Sequence, residues 1–158
     1  MHGSKKALKA LVAAAAVAIP VGFAIPAQAY TSNGCTVTGV TPYANGDINA
    51  NGVKLVDYDV NVSCTASALS KTVYVTMQRI EQDTPGGDDT YGTSTWSHTF
   101  PASGGSTQWK VTGTLVSMDG AWDNYAEIYM GTHFAVQSNG VTSSYTPYQY
   151  TGVRSIRQ

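Results

Sequence analysis

Val56-Asp57-Tyr58-Asp59-Val60-Asn61-Val62-Ser63-Cys64 alternates apolar and polar residues without a break. A period of two puts Val56, Tyr58, Val60, Val62 and Cys64 on one face of an extended chain. Asp57, Asp59, Asn61 and Ser63 fall on the other. The segment is expected to be a β-strand with one face in a core and one in water. Val53 and Leu55 are out of phase with it, so a strand start or bulge is expected near Leu55–Val56.

The same period recurs on both sides of this segment. Cys35–Thr41 reads as a short first strand. Val73, Val75 and Met77 mark a third; Trp96, His98 and Phe100 share a face of a fourth. Trp109, Val111 and Leu115 mark a fifth, and Ile128, Met130, Phe134 and Val136 a sixth. Tyr145–Ile156 supplies a seventh, with Pro147 pushing its start toward a sheet edge. Turn pairs separate these runs, among them Asn33-Gly34, Asn45-Gly46, Asn51-Gly52 and Asn139-Gly140. No helical periodicity of useful length follows Tyr30. The expected fold is all-β: a single antiparallel β-sandwich of about seven strands with immunoglobulin-like architecture. A closed barrel is the rival arrangement.

The N-terminus carries a different pattern. Lys5, Lys6 and Lys9 precede an apolar run from Ala10 to Ile19, then Pro20 and Pro26, then Ala27-Gln28-Ala29. Positive charge, apolar run and small residues at the cleavage positions make residues 1–29 a cleavable secretory signal peptide. Residues 30–158 are then the exported domain. A membrane anchor is the rival, but Pro20, Gly22 and Pro26 interrupt the run. The expected location is outside the cell, with no membrane association after cleavage.

Removing residues 1–29 leaves six Lys and Arg against ten Asp and Glu, a formal charge of −4. That balance argues against nucleic acid or an anionic membrane as partner, since both need clustered positive charge. Export puts Cys35 and Cys64, the two cysteines of the chain, in an oxidising compartment, so a disulfide between them is expected. It would tie the first strand to the second. Antibody domains join the second to the sixth.

Candidate chemistry is sparse. Asp47, Asn49 and Asn51, followed by Gly52, match the first half of a calcium loop. The second half fails, because position twelve is Tyr58. A polar turn explains the same residues, and no metal or cofactor is expected. His98 falls between Trp96 and Phe100 and is expected to be packed. His133 shares a face with Glu127 and Tyr129 and is expected to be solvated surface. Neither has a motif-defined partner, no G-x-S-x-G elbow exists, and no catalytic residue is assigned.

The aromatics carry more. Ten Tyr and three Trp remain in the exported part, and both residue types suit half-exposed contact surfaces. Trp122 sits in a polar turn, and Tyr145, Tyr148 and Tyr150 cluster in the last strand, with Tyr148 and Tyr150 on one side. These four are the candidate ligand-binding residues. The expected function is non-enzymatic recognition of an extracellular protein or glycan, or a role as a surface or matrix component. A secreted enzyme inhibitor presenting the Gln82–Thr90 loop is the alternative. A small hydrolase using His98 or His133 is the third class.

Overall fold

The alternating segment becomes the central strand of one of two antiparallel sheets. The computed structural model of the chain describes residues 29–82, 87–115 and 124–158. In the first sheet, β4 (Lys54–Cys64) pairs along one side with β7 (Gly105–Thr114). On its other side β2 (Cys35–Gly39) and β3 (Tyr43–Ile48) lie end to end, and β1 (Ala29–Ser32) flanks β2. In the second sheet, β5 (Lys71–Glu81) lies between β6 (Asp89–Phe100) and β8 (Tyr125–Ser138). Three short strands follow one another along the far edge of β8: β9 (Val141–Thr142), β10 (Gln149–Tyr150) and β11 (Arg154–Arg157).

The chain crosses between sheets after β4, after β6 and after β7. This is a β-sandwich with an immunoglobulin-like division of strands. The Asn-Gly pairs of the β1–β2 and β8–β9 hairpins do what their backbone freedom allows. Asn33 and Gly34 have φ of 50° and 71°, and Asn139 and Gly140 have 51° and 73°. Positive φ at both central residues is the I′ geometry that closes β1–β2 and β8–β9 in two residues.

Some boundaries differ from expectation. The first strand stops at Gly39, not Thr41. The segment 145–156 is not one strand but β10 and β11 separated by irregular chain, with Pro147 before the first and Gly152 between them. The strand start or bulge expected near Leu55–Val56 is borne out as a start, β4 beginning at Lys54, and the register of its partner β3 also shifts between Ala44 and Ile48.

The core lies between the sheets. Val56, Tyr58, Val60 and Val62 of β4 face Val73, Val75 and Met77 of β5 and Ile128, Met130, Phe134 and Val136 of β8, all buried. Cys35 and Cys64 are direct cross-strand partners and form the disulfide, with 4.0 Å between their Cα atoms. Trp96 of β6 lies parallel to Trp109 of β7, ring centres 5.8 Å apart, so the pair closes the open side where the two sheets meet. His98 stacks on Trp96 and meets Phe100 edge-on, but it is exposed, so the expectation of a packed histidine needs correcting: its ring lies on neighbouring aromatics and stays open to solvent.

A pair of tyrosine hydroxyls meets at this core. The hydroxyls of Tyr58 and Tyr91 are hydrogen-bonded to each other. Burial, with Tyr91 beside it, holds the Tyr58 phenol far above its usual pKa. The Arg79 guanidinium lies over the Tyr91 ring and fits against Gly92 and Gly113, where a Cβ would come within 2.2 Å and 2.8 Å of it.

Candidate functional site

The outer face of the second sheet carries aromatic side chains where a solvated face would carry charge. In β8 the inward residues are Ile128, Met130, Phe134 and Val136, so Tyr129, Gly131 and His133 point out. β10 pairs Tyr150 with Gly131 and Gln149 with Thr132, which places Tyr148 beside His133. The rings then touch in sequence. Tyr129 meets Tyr150 at 5.9 Å edge-to-face; Tyr150 lies nearly parallel to Tyr148 at 6.1 Å; Tyr148 stacks on His133 at 4.0 Å; His133 meets Tyr145 at 4.6 Å. Five rings form one continuous strip across the β8–β10 seam.

Gly131 is what lets the strip lie flat. A Cβ there would come 2.7 Å from the Tyr150 ring and 3.3 Å from the Tyr148 ring. The two tyrosines cover the backbone of a residue that has no side chain of its own, a form of aromatic rescue. Below the strip, the Tyr129 hydroxyl donates to the Asp88 carboxylate. Burial, then Asp88, raises the Tyr129 pKa well above its usual value. Burial also raises that of Tyr148 and lowers that of His133. Tyr145 and Tyr150 remain exposed at 51% and 48%. Beside Tyr145 a hollow of about 270 Å³ opens, lined by Tyr74, Thr95 and Ser97 of the same face.

The strip thus unites Tyr145, Tyr148 and Tyr150 and adds two residues. Tyr129 and His133 had a signal in the sequence, since alternation in β8 puts both outside. The expectation that His133 is plain solvated surface needs correcting: it is half-buried between two tyrosine rings. Trp122 lies outside the described residues, as do residues 83–86 of the Gln82–Thr90 loop.

A second polar cluster occupies the outer face of the first sheet. Asp57 and Asp59 are on the outward side of β4 as expected, yet they are only 5% and 6% exposed. Neighbouring strands cover them. Asp57 accepts hydrogen bonds from Lys110 at 2.8 Å, Thr112 at 2.6 Å and Asn45 at 3.2 Å. Asp59 accepts from the Tyr43 hydroxyl at 3.0 Å, and Lys110 stands 3.8 Å away. Burial disfavours the Asp57 carboxylate, but the donors from Lys110, Thr112 and Asn45 outweigh it and hold its pKa below the usual range. Lys110 is raised in turn, chiefly by Asp57. A carboxylate so firmly ionised is a poor proton donor.

Asp47, Asn49 and Asn51 stand at the β3–β4 turn. The Asn49 side-chain oxygen accepts from the backbone N–H groups of Asn51 and Val53, so it is used in closing that turn. Among the described residues, no group of three or more His, Cys, Asp and Glu is placed to hold a metal ion. Nor is any described helix long and apolar enough to cross a membrane.

No protein-family model matches the chain, and no curated relative does. Among solved structures, the X-ray structure of Northeast Structural Genomics Consortium target SoR45 is similar. It shares 13% identity over 81% of this chain and 89% of that one, with a TM-score of 0.47. A likeness that distant bears on neither function nor site.

Proposed function

We propose that residues 30–158 are a secreted, non-enzymatic recognition module that contacts an extracellular protein through the aromatic strip. The observation that carries the reading is the continuity of five rings on one outer face. Tyrosine at a surface supplies rigid apolar area with a polar end, which is the composition of protein contact surfaces. A protein is favoured over a sugar at this strip by how the rings lie. Sugars stack on free ring faces, and here His133 has Tyr148 and Tyr145 against its faces. What the strip offers is the half-exposed Tyr145 and Tyr150, with the hollow beside Tyr145 to take an anchoring side chain.

Export is supported by the charged, apolar and small-residue pattern of residues 1–29. The Cys35–Cys64 disulfide is compatible with it. The test is an array of extracellular-matrix and cell-surface proteins, with a polysaccharide array beside it. The expected result is retention on a protein that Tyr148→Ala weakens at least about tenfold, the loss of roughly 1.4 kcal/mol. Retention on a polysaccharide alone, lost in the same variant, would replace the protein by a glycan. Retention that Tyr148→Ala and Tyr145→Ala leave unchanged would overturn the strip.

A further inference from the structure

We propose that the outer face of the first sheet holds a separate site, a polar groove that takes a neutral polyhydroxylated ligand, a sugar. It lies on the face opposite the aromatic strip and does not depend on it. The groove crosses β2, β4 and β7, has a volume of about 490 Å³, and is lined by Thr38, Asn61, Ser63, Ser106 and Gln108. That volume is within the range of small-molecule sites, about 300–1,000 Å³. Among the described residues, none of these five side chains is used in a hydrogen bond to the protein. Together they present amide donors, amide acceptors and hydroxyls, the groups that match the ring hydroxyls of a sugar.

The strand pair next to the groove supplies the second observation. Asp59 and Lys110 are the next outward register pair along from Asn61 and Gln108. One Asp59 oxygen is taken by Tyr43, but the other, Oδ1, is shut from water and accepts no hydrogen bond. The Lys110 ammonium stands 3.8 Å from it and is bonded to Asp57 instead. A buried acceptor without a hydrogen-bond donor is costly and uncommon, and a ligand hydroxyl that reached it beside the Lys110 head would satisfy it. The charges narrow the class further. Lys110 already fills the place between the carboxylates that a divalent cation would need, and the acidic pair disfavours an anion. A neutral ligand bearing several hydroxyls is what remains.

The test is an NMR titration of the protein with glucose, galactose, mannose, xylose, N-acetylglucosamine and their short oligomers, to tens of millimolar. At least one should shift the amide signals of Asp59, Asn61, Gln108 and Lys110 together. Replacing both exposed groove amides, Asn61→Ala with Gln108→Ala, should weaken that binding at least about tenfold. Tyr148→Ala should leave it unchanged, and the double substitution should leave protein binding at the strip unchanged. No shift with any sugar of the panel would overturn the site. So would shifts centred on the strip, or binding that survives the double substitution.

Discussion

His133 shows most plainly how a single residue takes its properties from neighbours distant in sequence. Tyr145 and Tyr148 cover its ring, and burial lowers its pKa. The neutral imidazole is thus the form the fold favours. The unfolded chain binds a proton more readily, so this contribution to stability is complete above the ordinary histidine value of about 6.5. It is lost as pH falls through the lower folded value. An NMR titration should give His133 a midpoint below that of an exposed histidine; one at or above it would contradict the stacked arrangement. Asp57 runs in the same sense at lower pH, since its folded pKa is also depressed. Its stabilisation is present above the ordinary carboxylate value and lost on further acidification. Asp57→Ala removes the carboxylate that accepts from Lys110, Thr112 and Asn45 and should cost about 2 kcal/mol in urea unfolding. Tyr58→Phe, which strips the buried bond to Tyr91, should cost about 1 kcal/mol.

At the scale of the elements, the long strands were legible, the short β1, β3 and β9 were not, and neither were the neighbours of any strand. Alternation over Val56–Cys64 marks β4 because a strand facing one core repeats every two residues, and Asn-Gly marks hairpins because both residues tolerate positive φ. Nothing local says that β4 lies between β2 and β7, because that pairing joins Val60 to Gly39 and to Trp109. For the same reason Asp57 and Asp59 looked wet, when strands remote in sequence cover them. The strip was half visible: Tyr148 and Tyr150 share a side by alternation, but their meeting with Tyr129 and His133 depends on the β8–β10 register. Gly131 is the element-level test of that register. Gly131→Val should drive the Tyr150 and Tyr148 rings off the strand, lowering stability by about 1–3 kcal/mol and weakening strip binding. The disulfide between β2 and β4 spans a sequence separation of 29. Replacing Cys35 and Cys64 by Ala should lower stability by about 3.6 kcal/mol if chain entropy governs it; a loss under 1 kcal/mol would show that the unfolded chain is already restricted.

At the scale of the molecule, the described residues form a sandwich with two unlike outer faces. One presents tyrosine rings around His133, and the other presents amides and hydroxyls beside a carboxylate pair bridged by Lys110. Composition alone hinted at this division through many tyrosines and few charges, but only the packing of the two sheets gathers Tyr145, Tyr148 and Tyr150 on one side and Asp57, Asp59 and Lys110 on the other. The proposed function rests on the aromatic face being a contact surface and not a decorated strand edge. The most direct test is binding of the protein to an extracellular protein array, compared with its Tyr145→Ala, Tyr148→Ala and Tyr150→Ala variants. The account predicts a bound partner whose retention falls at least about tenfold in each variant, with the thermal midpoint of unfolding little changed. A partner retained equally by all three variants would contradict it.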